Sequence, residues 1–236
     1  EQVGVGTDAA FFQSLVLGLV ALVFTFVALA TIDRYGRRAL LIVGLASAAL
    51  SLIVCSWGFY NAAYKLDTHS IVEIQQQYSD DNIDLTPLAG VSYPSDVSLK
   101  QALRDQVGDV KAKEIEAVVI QRAITINVAI VLGGLIAFIA AFNVSIGPIM
   151  WVIFSEIVPT RIRGVAIPFF GFTVSLASYF TQQFFPWQLT VMGVAQIFAF
   201  YAILVIIGLF ALIKLLPETR NRSIEEIEAE LLLSRQ

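Results

Sequence analysis

Residues 11–64 read FFQSLVLGLVALVFTFVALATI, then DRYGRR, then ALLIVGLASAALSLIVCSWGFYNAAY, so a short charged segment separates two long apolar runs. Neither run contains Asp, Glu, Lys or Arg, and each is longer than the roughly 20 residues that a helix needs to cross a bilayer. Because arginine is costly inside hydrocarbon, the charged segment must lie at a membrane surface. This stretch therefore predicts two membrane-spanning helices joined by a very short loop.

Two further charge-free stretches continue this pattern along the chain. Residues 123–155 are longer than one span requires, and residues 164–213 are about twice the spanning length. Within the second stretch, a proline among the amphipathic residues 185–190 predicts an interfacial turn between two helices. The stretches together predict five spanning helices, in keeping with 57% hydrophobic and 14% charged residues. We expect an all-α, multi-pass integral membrane protein.

Basic residues indicate which helix ends face the cytoplasm, because short loops rich in Lys and Arg are retained there. The loops at 33–38 and 156–163 and the tail from residue 214 carry nine of the 15 basic residues. The other six lie in residues 65–122, on the opposite side of the membrane, which has twelve acidic residues. We predict that both loops and the tail are cytoplasmic.

Composition and the scarcity of reactive side chains argue against several classes of protein. The formal net charge of −4 at pH 7 does not suit a partner with a run of phosphates, so we predict no nucleic-acid partner. A single cysteine, Cys55, and a single histidine, His69, provide neither a disulfide framework nor a metal cluster. Without a phosphate-binding glycine loop or a Ser/His/Asp set, we predict no enzyme, no metal and no cofactor. The chain starts without Met or a signal-peptide pattern, and we expect it to be part of a longer protein.

Residues 65–122, the insert, are too polar to span a membrane and too long for an ordinary loop. Ser98 and Asp109 each precede a short helical pattern and are predicted N-caps, so we expect two short extramembrane helices. Because no helix breaker is evident between Val110 and Phe142, the second helix is predicted to continue into the third span as one rod. The insert is a lid, a partner-docking surface or a tolerated elaboration of the surface.

Three cytoplasmic segments are the most specific part of the sequence. They are DRYGRR at 33–38, SEIVPTRIRG at 155–164 and PETRNRS at 217–223, and a fourth motif, GPIMW, lies at 147–151. In this order, with these helices between them, the motifs closely resemble the C-terminal half of the sugar porter family of the major facilitator superfamily. The resemblance covers nearly the whole chain except the insert.

The resemblance implies a major facilitator superfamily fold in which the five spans are helices eight to twelve. Residues 1–64 would hold an external loop with helices eight and nine, and residues 65–122 an extracytoplasmic insert. Residues 123–216 would hold helices ten to twelve, and residues 217–236 a cytoplasmic tail. The N-terminal half of the same transporter, with seven further helices, is expected outside this chain.

Charged residues of these motifs lie at the cytoplasmic ends of neighbouring helices. Arg37 and Arg38 are predicted to reach Glu156 and Glu218, while Glu156 and Arg163 bracket one tight connection. Such ion pairs would latch the helices together and favour the transporter state that is closed to the cytoplasm. The alternative is that these residues only anchor the membrane topology.

A solute path needs polar or amphipathic side chains at mid-depth of the helix bundle. Trp151 offers a face for a sugar and Asn143 a donor and an acceptor; by resemblance, Trp151 corresponds to a tryptophan beside the sugar. Ser175 and Ser178 complete the predicted substrate-binding set, with helix packing as the alternative role of small hydroxyl residues. The other polar candidates in the spans are Gln13, Thr25, Ser145, Thr173, Tyr179, Gln182 and Gln183.

Gly147 and Pro148 are predicted to kink or break helix ten beside this site, because proline lacks an amide donor and clashes with the preceding turn. We expect the pair to act as a gate hinge. Three positions depart from the sugar contacts that the resemblance implies, namely Ala21, Ile146 and Val174. Each departure removes hydrogen bonds or stacking surface.

With the resemblance, the sequence predicts transport of a sugar or polyol by alternating access, as a proton-coupled symporter in a bacterial inner membrane or a plasma membrane. The expected partners are the solute, protons, the lipid bilayer and the N-terminal half of the transporter. The three departures favour an alternative, a symporter or facilitator of another small polar solute. A second alternative is a transporter-like receptor that does not transport.

Overall fold

A computed structural model describes residues 7–78 and 84–215 of the chain. Within these residues, five helical segments are long and apolar enough to cross a membrane, which confirms the five predicted spans. The elements in chain order are α1 (Thr7–Tyr35), α2 (Arg37–Tyr60), β1 (Ala63–Lys65), α3 (Thr68–Gln77), a 3₁₀ helix (Thr86–Leu88), β2 (Ser92–Tyr93), α4 (Asp96–Val107), α5 (Asp109–Ala123), β3 (Ile124–Thr125), α6 (Val128–Val144), α7 (Ile146–Ile157), α8 (Arg163–Val191) and α9 (Val194–Leu215).

The connection between the first two spans is a single residue, because the charged residues on either side of it belong to the helices. Gly36 separates α1 from α2 with a φ of 88°, a left-handed conformation that a side chain disfavours. Its amide donates to the carbonyl of Ile32, and Arg37 starts α2 at once. The sequence prediction of a very tight turn at this glycine is therefore confirmed.

Helix α2 packs against α6 and α9 through a face of small residues. A Cβ on Gly44 would overlap the hydroxyl of Ser145, and a Cβ on Gly134 of α6 would lie 2.6 Å from the sulfur of Cys55. Ser56 donates a 2.9 Å hydrogen bond to the carbonyl of Ala195 at the start of α9. Small residues let membrane helices approach closely, so α2 occupies the centre of the described bundle.

The third span is broken into α6 and α7 at Ser145, whose ψ of −88° departs from helical geometry. The Ser145 hydroxyl is buried and donates to the carbonyl of Ala141 at 2.6 Å, which satisfies one carbonyl at the end of α6. Pro148 lies in the first turn of α7, where its missing amide proton costs little. A break is thus present beside Gly147 and Pro148, as the sequence predicts, while their role as a hinge stays a prediction.

The turn between the last two spans was misplaced by the sequence analysis. Helix α8 continues through Pro186 to Val191, and the chain reverses at Gly193 instead of within residues 185–190. Gly193 has a φ of 78°, which glycine adopts without the steric cost that a Cβ would bring. The reversal needs this left-handed residue, and the proline is accommodated inside the helix.

The prediction of one rod from α5 into the third span is wrong. Helix α5 ends at Ala123, and β3 pairs antiparallel with β1, which places Ile124 opposite Tyr64. Strand β2 pairs with the other edge of β1, giving a three-stranded sheet in the order β2-β1-β3. Pairing with a distant strand therefore ends the helix without any local breaker in the sequence.

The helices of the insert differ from the sequence prediction in number and in their N-caps. The insert contains α3 in addition to the two expected helices. Ser95 is the N-cap of α4, and Ser98 is its partner in a capping box, since each hydroxyl accepts from the other's backbone amide at 3.2 Å. Gly108 occupies the N-cap position of α5, which makes Asp109 its first residue.

Candidate functional site

An ion pair joins the start of α2 to the end of α7, two helix ends that the sequence predicts to be cytoplasmic. The Nη2 and Nε atoms of Arg37 lie 3.0 Å and 3.2 Å from Oε1 of Glu156. Their side chains are 19% and 24% exposed, so the pair is partly shielded from water. The second carboxylate oxygen of Glu156 is buried and accepts no hydrogen bond from the described residues. The structure thus brings together one pair of the predicted charge network.

The other arginines of the predicted network bind carbonyl groups. Arg38 donates to the carbonyl of Ile213 at 2.9 Å, which ties the start of α2 to the last turn of α9. Arg163, the first residue of α8, donates to the carbonyl of Val158 at 3.3 Å within its own connection. Glu218 lies outside the described residues. These contacts bring the three predicted cytoplasmic ends of the chain together, and Arg163 binds a carbonyl of the connection that it brackets with Glu156.

Asn143 lies in the last turn of α6, facing α1. Its Nδ2 atom donates to the carbonyl of Ile139 at 2.8 Å, and its Oδ1 atom is 3.4 Å from the hydroxyl of Thr25. The same hydroxyl donates to the carbonyl of Ala21 at 2.8 Å. One Nδ2 proton and an acceptor site on Oδ1 are left for a solute, so the amide is held in place and still has hydrogen-bonding capacity.

Trp151 lies on α7 and faces α8. Its indole is 47% exposed and makes an edge contact with Phe154, with ring centroids 6.0 Å apart. A Cβ on Gly171 would lie 3.7 Å from the edge of the indole ring, so α8 passes close to it at this glycine. Ser175, one turn further along α8, donates to the carbonyl of Gly171 at 2.9 Å. Trp151 therefore lies beside the turn of α8 that contains Gly171 and Ser175.

The predicted substrate residues lie on three segments of the bundle. Asn143 comes just before the break at Ser145 and Trp151 follows it by six residues, on α7. Ser175 and Ser178 are exposed on α8. Trp151 lies near the turn of α8 that carries Ser175, and a shared binding site for the four residues stays a prediction. The available groups are an indole face, an amide and hydroxyls, which suit binding of a neutral polar solute.

Two buried charged residues in the insert escaped the sequence analysis. Asp96 and Lys100 are 4% and 3% exposed, although they belong to the most polar part of the chain. The signal was their spacing of four residues on a helix after a capping serine, which predicts an ion pair. Such pairs are usually solvated, and only packing against other elements buries this one.

The sequence model of the family described as "Sugar (and other) transporter" matches residues 1–74 and 115–231. The chain belongs to this family. Residues 75–114, which the family model does not match, lie inside the insert. The resemblance seen in the sequence also excludes the insert. The family assignment and the apolar helices establish an integral membrane protein with the fold of the major facilitator superfamily.

Curated members of this family are similar to nearly the whole chain. The arabinose-proton symporter of Bacillus subtilis is 26% identical over 97% of this chain and 36% of its own length. The facilitated glucose transporter member 10 of Danio rerio is 29% identical over 94% of this chain and 40% of its own length. The chain thus spans little more than a third of the length of these relatives.

A solved structure agrees on the fold. The inward-open conformation of the xylose transporter XylE from E. coli aligns with a TM-score of 0.61 and 22% sequence identity, covering 94% of this chain and 36% of that chain. The superposition supports the arrangement of the helices alone. The aligned region is little more than a third of the xylose transporter.

Proposed function

We propose that the protein containing this chain transports a sugar or a polyol across a membrane by alternating access, as a proton-coupled symporter. The observation that carries the proposal is the family match, which extends on both sides of the insert. Relatives named as arabinose-proton and D-xylose-proton symporters favour a pentose or hexose and coupling to protons. In this proposal the chain supplies five helices of the C-terminal bundle, and the N-terminal half supplies the rest of the path.

Residues around the broken third span form the proposed substrate side of the bundle. Trp151 stacks on the sugar ring, and Asn143, held by its bond to the carbonyl of Ile139, exchanges hydrogen bonds with hydroxyls. Ser175 and Ser178 face the solute from α8. Bending at the break beside Gly147 and Pro148 moves α7 relative to α6, which opens or closes the path.

The ion pair of Arg37 with Glu156 is the proposed cytoplasmic latch. Arg38 and Arg163 support it through helix-end carbonyls, and Glu218 is proposed as a further acidic partner. Closing the latch favours the state that is closed to the cytoplasm, because the pair stabilises whichever state brings these helix ends together. We also propose that the protein has no enzymatic activity and that it resides in a bacterial inner membrane or a plasma membrane.

Uptake into proteoliposomes tests this proposal. The complete open reading frame is reconstituted and given labelled pentoses, hexoses and inositol, with and without an imposed proton gradient. We expect saturable uptake of at least one of these solutes, accelerated by the gradient. A rate of uptake that is the same with and without the proton gradient would indicate a facilitator.

The substrate role of Trp151 is tested in the same assay with a matched control. Trp151→Ala is expected to raise KM by about tenfold or to abolish uptake, since loss of ring stacking removes about 1 kcal/mol or more of binding free energy. Trp57→Ala removes a somewhat more exposed tryptophan from α2 and should leave KM unchanged. Equal effects of the two substitutions would contradict the proposed site.

A carrier of a different small polar solute is the second candidate. Ala21, Ile146 and Val174 favour it, because alanine and the two aliphatic residues provide no hydrogen-bonding side chain where the resemblance expects polar or aromatic sugar contacts. Saturable uptake of none of the sugars or inositol, by a protein that is folded in the vesicles, would favour this candidate or a receptor that does not transport.

A further inference from the structure

The insert is fastened to the helix bundle at both of its ends. Strand β1 follows α2 and pairs with β3, which precedes α6, so Ala63 lies opposite Thr125. Apolar side chains from α3, α4 and α5 form a core on this sheet in which Leu99, Leu103 and Ile115 are fully buried. A packed core on a paired sheet makes the insert a stiff unit joined to α2 and α6.

A buried lysine lies where this unit meets the external end of α8. The ammonium group of Lys100 is 3.4 Å from Oδ2 of Asp96 and 3.1 Å from Oε1 of Glu116 on α5. Arg104 lies 3.7 Å from the other oxygen of Glu116, so the cluster holds two charges of each sign. Burial, and secondarily the negative charge of Asp96, raises the pKa of Tyr64 in β1 far above its usual value. The cluster thus extends from the sheet to α4 and α5.

Lys100 also reaches out of the insert to α8. Its ammonium group is 3.5 Å from the carbonyl oxygen of Leu189, two residues before α8 ends. Carbonyls in the last turn of a helix have no partner within the helix and carry the negative end of its dipole, so a lysine is favourable there. The cation is therefore shared between the acids of the insert and the end of a membrane-spanning helix.

The turn after α8 lies close to the same cluster. A Cβ on Gly193 would lie 2.6 Å from Oδ1 of Asp96 and 3.0 Å from Cγ2 of Val97. The glycine is therefore needed for close approach as well as for its positive φ.

Elsewhere no residue of α8 is buried against the part of the chain that the structure describes. Its other described contacts include the ring contact of Phe170 with Phe154 of α7 and the hydrogen bond that Tyr201 of α9 donates to Gln188. The contact with the insert is thus one of a few described contacts of this helix, and it involves a buried charge.

The geometry points to Lys100 as a positioning residue that anchors the external end of α8 to the insert, with Asp96, Glu116 and Gly193 completing the anchor. The start of α9 is already bound to α2 through the hydrogen bond that Ser56 donates. Because the insert is joined to α2 and α6, the anchor binds the end of α8 to the same helices and so restrains the α8–α9 turn from both sides. The anchor stands on the structure alone. Its consequence for transport rests on the proposed function.

Spin-label distances in the complete protein test the anchor. Labels are placed at the exposed Gln101 of α4 and Thr190 of α8, in a Cys55→Ala background. The double variant Lys100→Met/Glu116→Gln removes the bond to α8. It leaves one positive charge, on Arg104, and one negative charge, on Asp96, so the net charge of the cluster stays zero. The matched control Lys113→Met/Glu114→Gln makes the same chemical change at exposed positions of α5. Hydrogen exchange of the α4 and α5 amides reports that the insert remains folded.

We expect a narrow distance distribution in the unaltered protein and in the control, and a distribution at least twice as wide in Lys100→Met/Glu116→Gln. Gly193→Ala should widen it independently, whereas Gly90→Ala, which has a similar φ of 71° and open space around it, should not. Unchanged widths in both anchor variants, with the insert folded, would overturn the anchor.

Uptake measurements then separate positioning from substrate contact. In Lys100→Met/Glu116→Gln the maximal rate is expected to change at least threefold with KM within twofold, because the proposed sugar contacts are untouched. A widened distance distribution with unchanged kinetics would overturn the positioning role. If the unaltered protein takes up no solute, the proposed function fails, and the distance measurements still decide whether Lys100 anchors α8.

Discussion

Helices α2 and α8 are both long, apolar spans that begin with an arginine, yet they pack in opposite ways. In α2, nearly half of the spanning window is buried, whereas no residue of α8 is buried by the described part of the chain. The buried face of α2 repeats small residues such as Gly44, Ala48 and Cys55, while α8 carries bulky phenylalanines. Hydropathy therefore identifies a span, and the spacing of small residues identifies the span that lies at the centre.

The largest effect should come from filling the closest contact of α2. Gly44→Ala places a methyl group on the hydroxyl of Ser145, and overpacking of this kind costs about 1–3 kcal/mol. Thermal unfolding of the complete protein in detergent should show a clearly lower Tm. Gly208→Ala on α9, where a Cβ would meet none of the described residues within 4 Å, is the control. Equal Tm values for the two variants would refute the central packing of α2.

The first residues of the two helices give an intermediate effect. Arg37→Met leaves the partly buried Glu156 without its partner and should lower the free energy of unfolding by about 1 kcal/mol more than Arg163→Met, which loses a bond to a carbonyl. A double-mutant cycle of Arg37→Met with Glu156→Gln measures the coupling of the pair. A coupling energy indistinguishable from zero would mean that Arg37 serves only as a topology anchor.

The smallest effect should come from single hydroxyl groups. Ser56→Ala removes the hydrogen bond from α2 to α9 and is expected to cost about 0.6 kcal/mol, a typical value for a bond between membrane helices. Thr181→Val removes a bond that stays within α8 and should change stability very little. Chemical unfolding of both variants provides the measurement, and a larger loss for Thr181→Val would reverse the comparison.

Sequence reasoning was accurate where one local property decides the structure. The five spans and the glycine turn at Gly36 follow from hydropathy and backbone sterics, and a break beside Pro148 follows from a missing amide proton. Reasoning failed where a distant partner decides. Ile124 ends α5 because it pairs with Tyr64, and the turn after α8 falls at Gly193 although Pro186 is the stronger local signal.

The candidate site divides in the same way. The motifs at the cytoplasmic ends predicted that Arg37 meets Glu156, because charges at the ends of short connections have few partners within reach. The sequence could not predict which carbonyls Arg38 and Arg163 bind, because every helix end has unpaired carbonyl groups. The substrate residues Asn143, Trp151, Ser175 and Ser178 stay a prediction, because half of the proposed path lies outside this chain.

The sequence by itself determined that the chain spans a membrane, the number of spans and the family, because these depend on local hydropathy and motifs, while the orientation of the spans stays a prediction. Only the tertiary structure decided that α2 is central, that α8 is open and that Lys100 is buried between the insert and the end of α8. The reason is that burial depends on which surfaces meet. An aspartate and a lysine four residues apart give the same sequence pattern whether the lysine contacts water or the end of another helix.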